Sequence, residues 1–573
     1  MAAIVLVALV IVAVLAAGVL RRTRARALAN IRAGWGHRVD RPRRMDAMAA
    51  SHRSRVANLG STGSLDDRTW QDLNLDDVFA ALDRTESTLG QHALYHRLRT
   101  APVADHLEAF ELLVSRLTAD APARERAQLA LSRLQDSHGY DLWWLAGKDA
   151  VEIRAWWYAL FPLLAASTLV LAVLAPFWAP ALPGLVVAVV MNVVVRYLTD
   201  SRIGAVAGAF RQLAPVISTG QSLRFLTAAD VQPLIGPLQS DTQRLGRLKT
   251  IARWIAGDPL MLPERSGSSG LLVNDVVTVF YEYLNLLFLL DANGVCFGAG
   301  QLRTHGAAFL RVAAAIGEVD AALSVASVRA GRADWTRPSF SAPGAPAEWR
   351  EVRHPLIEDA VPNAIALPLA HGALITGSNM SGKSTFVRTI GVTTVMAQTL
   401  NTCLATKYEA PILRVRSSIG RSDDLLTGTS YYVAEVEALL DLVNASADTA
   451  SHLFLLDELF RGTNAVERIA AAQAVLTELV SGANGPKPHL VIAATHDAEL
   501  VDLLADVYDV HHFGDEVNLD GLVFDHRLQP GPATTRNAIA LLRLHGAPET
   551  LITRALICAA ELDRQRGSDV VAR

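Results

Sequence analysis

The chain has 573 residues, enough for about three or four domains, with 53 basic and 57 acidic residues and a formal charge of −4. This balance excludes a uniformly basic surface of the kind that holds nucleic acid through overall charge. The three cysteines, Cys296, Cys403 and Cys558, are far apart and match no metal-ligand or redox spacing; they read as packed core residues in a reducing compartment, not as a disulfide framework.

Hydrophobic residues make up 51% of the chain, and three segments explain much of this. Ala3–Leu20 is uncharged and about 27 Å long as a helix, close to the hydrocarbon thickness of a bilayer. No positive charge precedes it, whereas Arg21, Arg22, Arg24 and Arg26 follow. That asymmetry predicts a membrane anchor with its N-terminus outside, not a cleaved signal peptide. From Arg21 to Arg55 there are eleven Arg against Asp40 and Asp46.

Leu73–Ala146 carries apolar residues at helical spacing, as in Gln91–Arg99 and Ala104–Thr118. The second and third apolar segments form a predicted hairpin. Ala155–Ala175 opens on Trp156, Trp157 and Tyr158, a Pro-rich turn follows (Pro176, Pro180, Pro183), and Gly184–Val195 runs apolar into Arg196. Asn192 lies within this short second pass, so Arg196 would have to snorkel. Three passes place everything after Arg196 in the cytoplasm. Ile203–Ala330 again reads as helical, broken at Ser266–Gly270, and the cluster Ala342–Pro346 marks a boundary.

Beyond it, short β-type runs alternate with helical stretches, as in a parallel-sheet α/β domain. Gly377, Ser378, Asn379, Met380, Ser381, Gly382, Lys383, Ser384 and Thr385 form a complete G-x-x-x-x-G-K-[ST] loop after the apolar run Ala373–Ile375. Glycines let backbone N–H groups wrap phosphates, Lys383 reaches the outer phosphates, and the Ser384 hydroxyl can ligate Mg²⁺. A nucleoside triphosphate is therefore the expected ligand. Leu453–Leu456 is a buried-strand run ending in Asp457 and Glu458: Asp457 is the candidate to hold Mg²⁺ through water, Glu458 the candidate base for the attacking water. Ala493–Thr495 is another strand run, ending at His496, placed to contact the γ-phosphate or its water. Between them, Ser422–Glu435 combines Gly, hydroxyls and a helix start, and its spacing alone assigns it no role beyond an anion-binding end or a helix cap.

Together these residues resemble one family, the MutS mismatch-repair ATPases. The resemblance rests on Thr376-Gly-Ser-Asn-Met-Ser-Gly-Lys-Ser-Thr385, Arg353-His354-Pro355 with Val361-Pro362-Asn363, Ile419–Leu425 and the Gly-x-Ser-x-Tyr-x-x-Glu run after it, Asp457–Thr463, and Ala494-Thr495-His496. Upstream, Leu82-Asp83-Arg84-Thr85 with Gly90, and Ala307–Phe340, are similar to the family's helical core. The resemblance implies an ABC-type ATPase using ATP and Mg²⁺ and working as a homodimer through its ATPase domain. Ser430 would then touch, in trans, the γ-phosphate bound to the partner, and the loop Arg461–Asn464 would run along the interface. It also implies dimerising helices in Asn537–Leu562. The predicted fold class is thus an α/β C-terminal P-loop ATPase domain preceded by an all-α core domain, with transmembrane helices. The predicted division is an anchor at 1–20, an Arg-rich cytoplasmic segment at 21–72, the core at 73–153 and 199–341, the hairpin at 154–198, the ATPase domain at 342–530 and dimerisation helices at 531–573.

Departures from the pattern shape the functional expectation. Only about 70 residues precede the core, with no counterpart of the family's mismatch reader, and the DNA-clamp insertion is absent or much reduced. Asp497 stands where the family usually has an aromatic residue, which removes base stacking at that point. The first expectation is a MutS-like ATPase in the plasma (inner) membrane, multi-pass with its ATPase domain in the cytoplasm, related to mismatch repair or DNA-structure handling and binding DNA through its backbone. The alternative is an ATP-driven switch acting on an unknown protein partner at the membrane. The Arg-rich segment fits DNA phosphates, and it equally fits a positive-inside signal attracted to anionic lipid. A transporter half is disfavoured by too few passes and by spans free of charge.

Overall fold

A computed structural model of the chain describes residues 18, 21–60, 64–100, 104–134, 142–145, 154–256, 271–342, 345–368, 370–378, 380–420, 431–460, 463–482, 485–518, 521–533 and 538–571. The predicted anchor Ala3–Leu20 (Gly18 apart), the break Ser266–Gly270 and most of the Ser422–Glu435 segment lie outside the described residues. Two compact units emerge: the described part of Met1–Thr62 with Leu82–Ala333, and Gly63–Ala81 with Asp334–Arg573.

The first unit is helical. Residues 21–34 form a helix, followed by α1 (Met45–Leu59). The next two helices, α2 (Asp67–Asp72) and all but the last residue of α3 (Leu75–Leu82), count with the second unit. The helical unit resumes with α4 (Thr88–Arg99), α5 (Ala104–Ala119), α6 (Ala121–Leu131), α7 (Trp157–Leu174), α8 (Ala181–Arg211), α9 (Leu213–Leu223), α10 (Gly246–Ile255), α11 (Leu271–Phe288) and the 41-residue α12 (Leu290–Ala330).

Helix α12 is the spine, buried almost continuously from Ala308 to Arg329. Its crossing with α4 is close because both helices present glycine: a Cβ on Gly317 would lie 2.6 Å from the Leu89 carbonyl oxygen. Asp320 of α12 accepts the backbone N–H groups of Glu86 and Ser87, both at 2.8 Å, and the Ser87 hydroxyl. Burial pushes the Asp320 carboxyl up to about 7, against the hydrogen bonds from Ser87 and Glu86 that pull it down. Buried charge elsewhere in the unit is paired. Arg329 grips Glu111 with two bonds of 2.8 and 2.7 Å, and Glu318 takes both Arg55 and Arg97.

The predicted hairpin is present as α7 and α8. Trp157–Leu174 and Ala181–Thr199 are long and apolar enough to cross a membrane, and only 17% and 11% of these stretches is buried. The second apolar segment, read from sequence as short, is instead the opening of a 31-residue helix, with Pro183 in the first turn where no N–H donor is needed. Arg196 does not reach out alone but pairs with Glu282 at 3.0 Å. Of the cysteines, Cys296 and Cys403 are buried as expected; Cys558 is exposed, which corrects its reading as a core residue.

The second unit is α/β. A four-stranded sheet of β1 (Ser339–Phe340), β2 (Ala347–Val352), β3 (Asn363–Leu367) and β5 (Lys407–Ala410) runs in the order β1-β5-β2-β3. The larger sheet contains β4 (His371–Thr376), β6 (Arg414–Ile419), β7 (His452–Asp457), β10 (Leu490–Ala494), β11 (Tyr508–Asn518) and β12 (Gly521–Pro530), in the order β12-β11-β4-β10-β7-β6. A small ribbon pairs β8 (Ser481–Gly482) with β9 (Gly485–Pro486). Strands β7 and β10 are buried at every residue, as parallel strands covered on both faces must be. Helices α13 (Lys383–Leu400), α14 (Tyr431–Ala445) and α15 (Ala465–Val480) connect the strands, and α16 (Ala538–Leu544) and α17 (Glu549–Val571) follow with a Gly-Ala-Pro turn between them.

Gly63–Ala81, which the sequence divides between the Arg-rich segment and the helical core, joins this unit through carboxylates. Asp66 caps α2 at Thr69, and Asp72 accepts from the Ser417 hydroxyl at 2.8 Å and the Ile419 N–H at 3.0 Å on β6.

The α4–α12 crossing yields a test with opposite signs at two glycines. A Cβ on Gly90 would lie 2.1 Å from Asp320 Oδ2, whereas one on Gly300 meets nothing within 4 Å. Gly90→Ala should cost about 1–3 kcal/mol by overpacking, and Gly300→Ala should stabilise by about 0.5–1 kcal/mol. Denaturant titration of both variants measures the two effects.

Candidate active site

Parallel register builds the site. Ile375 of β4 faces Ala494 of β10, and Ala494 faces Asp457 of β7. Three strands therefore end side by side, and the segments leaving them share the C-terminal edge of the sheet, where ligands of such sheets bind. The phosphate-binding loop leaves β4, Glu458 leaves β7, and Thr495 and His496 leave β10. Strand β10 stands between β4 and β7.

The loop has the backbone that its glycines predict. Gly377 (φ 140°) and Gly382 (φ 119°) lie in the left-handed region, as does Met380 (φ 71°), whose side chain is exposed. A Cβ on Gly377 would come within 2.9 Å of the Phe513 carbonyl oxygen and 3.0 Å of Ser381 Oγ. Helix α13 starts at Lys383, so its N-terminal N–H groups point toward the loop.

Lys383 is buried, and its ammonium donates to the carbonyls of Gly377 (3.0 Å) and Ser378 (2.8 Å). It also lies 3.2 Å from His496 Nε2, which in turn is 2.9 Å from Glu458 Oε1. His496 thus links the lysine to the carboxylate. Its Nε2 donates to Glu458 when it carries the proton and accepts from Lys383 when it does not. Glu458 itself sits at φ 51°, with its N–H held by the Ala494 carbonyl at 2.9 Å. Phe460, at φ 58°, donates its N–H to Glu435. This left-handed turn after β7 aims Glu458 back along the sheet edge. Glu435 belongs to the Tyr-x-x-Glu run that sequence reasoning left without a role, and that run was the signal available for finding it.

Gly382, Lys383, Ser384, Thr385 and Glu458 line a cavity of ≈ 350 Å³, together with His354, Asn363, Phe513 and His526. Asp457 is buried at the end of β7 and does not line it. His526 was not anticipated. It stands at φ 53° in β12 and contacts the Ser381 carbonyl at 3.0 Å through Nδ1. Asn363 ties it down, donating to the His526 carbonyl at 3.0 Å and accepting the Leu528 N–H at 2.7 Å. Asp497 accepts two bonds from Arg468, at 2.9 and 2.6 Å, so the position where the family carries an aromatic residue is committed to an ion pair. Asn379, Ser430, Arg461 and Gly462 lie outside the described residues.

This donor set fits Mg²⁺ and a polyphosphate. The loop offers a helix N-terminus, a lysine and, at Gly377, a position where a Cβ would crowd the Phe513 carbonyl and Ser381 Oγ, and Ser384 and Asp457 carry hard oxygens. Among the described residues no group of three or more His, Cys, Asp or Glu is placed to hold a metal alone. Mg²⁺ itself takes few protein ligands and completes its shell with phosphate and water.

Comparison with known proteins agrees with this geometry. Residues 373–563 match the sequence profile of MutS domain V. The chain is 36% identical over 251 residues to the DNA mismatch repair protein MutS of Natronomonas pharaonis, covering 42% of this chain and 28% of that protein. It is 36% identical over 271 residues to that of Geobacillus sp. (44% and 30%) and 34% identical over 261 residues to that of Thermus aquaticus (44% and 30%). The chain therefore spans less than a third of the length of these curated relatives.

His354 provides a pH test of the cavity wall. Burial, with the nearby Arg388 charge, lowers its pKa to about 4. The folded state therefore keeps it neutral where the unfolded chain, near 6.5, takes up a proton. The contribution of His354 to stability falls as pH drops from about 6.5 to about 4, by at most about one proton of slope. His354→Gln should flatten the stability–pH curve in that window, measured by denaturant unfolding at several pH values.

Proposed function

Through its domain V the chain belongs to the MutS family, and we propose that it is a Mg²⁺-dependent ATPase that works as a homodimer. The observation that carries this reading is the convergence of Lys383, His496 and Glu458 beside the phosphate-binding loop. Lys383 would draw the outer phosphates, and Glu458 would accept a proton from the attacking water. His496, between them, would orient that water or the γ-phosphate. Ser384 would ligate Mg²⁺ and Asp457 would hold it through water, the ion supplying positive charge against the phosphate oxygens. Ser430 would complete the site of the partner subunit.

We further propose that the protein resides in the inner membrane with its ATPase domain in the cytoplasm. The exposed apolar surface of α7 and α8 supports this. Its role there would be in DNA handling related to mismatch repair, with DNA held by its backbone. An ATP-driven switch on a protein partner is the second reading, and the same hairpin supports it.

Replacing Glu458 by Gln should leave ATP binding intact while lowering hydrolysis by about 10²–10⁴-fold. Lys383→Ala should weaken ATP binding itself. Nucleotide-binding and phosphate-release assays on the full chain separate the two effects, and hydrolysis at the wild-type rate in Glu458→Gln would exclude Glu458 as base. Duplex DNA affinity that falls steeply with salt supports the DNA role; no binding at low salt leaves the protein-partner switch.

A further inference from the structure

Helices α11 and α12 are separated by a single residue, Leu289, in the left-handed conformation at φ 50°. A break of this kind frees the last carbonyls of α11, which water satisfies at an ordinary exposed helix end. Here side-chain amides take those of Leu287 and Phe288. Asn192 of α8, wholly buried, donates through Nδ2 to the Leu287 carbonyl at 2.6 Å and to Thr168 Oγ1 of α7 at 2.9 Å. Asn293 Nδ2 lies 3.1 and 3.0 Å from the Phe288 and Leu289 carbonyls. On the other side of the break, Asn285 accepts the Asp291 N–H at 2.9 Å and donates to the Asp291 carboxylate at 2.7 Å. Around this polar cluster, in which the amide oxygens of Asn192 and Asn293 are buried without a hydrogen-bond partner, Leu284, Leu286, Leu287, Phe288 and Leu290 are only partly covered.

Two contacts fix how deep the break sits against the hairpin. Asn192 meets Leu287, and Arg196 meets Glu282, so α11 runs antiparallel to α8 with its tip at Asn192. That residue is eleven positions past Ala181, about 16 Å along the helix, half of the roughly 30 Å hydrocarbon thickness. Helix α12 then leads away toward the start of α7, where Arg303 bonds the Tyr158 hydroxyl at 2.6 Å. The tip enters and leaves on one side. Val279, Phe280 and Tyr283 on α11 and Phe297 on α12 are each more than half exposed, as are Trp156 and Tyr197 beside them.

We propose that the α11–α12 junction is a re-entrant hairpin that inserts to about mid-depth in the lipid beside α7 and α8, so that lipid, not water, covers Leu286, Leu287 and Phe288. Non-helical backbone survives at that depth only when protein satisfies it, and Asn192 and Asn293 do so at Leu287 and Phe288. This rests on the membrane reading of α7 and α8.

Spin labels test it in the full chain. Single cysteines replace Val190, Val279, Tyr283, Leu286 or Phe297 in a Cys558→Ser background, reconstituted in phosphatidylethanolamine–phosphatidylglycerol vesicles. Collision with oxygen and with a water-soluble nickel chelate then gives depth. The expected result is Leu286 at the depth of Val190, with Tyr283, then Val279, progressively shallower, and Phe297 shallower than Leu286. If Val190 is lipid-buried while Leu286 meets the nickel chelate, or while the α11 and α12 positions share one depth, the re-entrant hairpin is overturned and the membrane reading stands. If Val190 itself meets the chelate, the membrane reading falls and the hairpin with it.

Discussion

The candidate site depends on one constraint, the parallel register of β4, β10 and β7. Because Ile375, Ala494 and Asp457 lie in one row, the next residues of three distant segments emerge together. A parallel sheet buried on both faces has no freedom to slip, since every side chain of β7 and β10 is already in the core. Helices α13 and α15 and the apolar cluster around Leu374, Phe454, Leu476 and Val491 hold that register. The chemistry at the edge inherits its precision from packing beneath it.

Polar groups placed against the grain of their surroundings do the remaining positioning. Glu458 and Phe460 occupy left-handed backbone that non-glycine residues seldom adopt, and such conformations persist where neighbours over-determine them. Here the Ala494 carbonyl and the Glu435 carboxylate are those neighbours. In the helical unit, Asp320 plays the equivalent part by gathering the N–H groups that open α4.

Much of this was legible in the sequence, and the boundary is physical. The placement of the phosphate-binding loop, Asp457-Glu458 and His496 at strand ends could be read because each follows an apolar run of strand type. The α/β alternation and the apolar hairpin could be read because periodicity and hydropathy are local properties. His526 and Asn363 could not, because their place at the cavity depends on the non-local pairing of β12 with β11 and on a bond across 163 positions. The grouping of Gly63–Ala81 with the α/β unit could not be read for the same reason: its tie there is Asp72 against β6, more than 340 positions away. The exposure of Cys558 reflects which face of α17 it occupies, and an isolated cysteine carries no signal of that.

The phosphate-binding loop and the Leu289 break are the same physical problem solved for different surroundings. Both free backbone groups from regular hydrogen bonding, and a freed group must find a partner or carry a desolvation cost. In the phosphate-binding loop Lys383 meets the carbonyls of Gly377 and Ser378 and His526 meets that of Ser381, while Gly382, Lys383 and Ser384 line a cavity that a charged ligand can enter. At the Leu289 break the freed carbonyls of Leu287 and Phe288 are met by Asn192 and Asn293, carried on other helix turns. The loop borders a cavity that a ligand can enter; the break set among leucines is covered by side-chain amides from other helix turns. That contrast is why the polar residues inside the apolar hairpin read as structural, while those at the sheet edge read as functional.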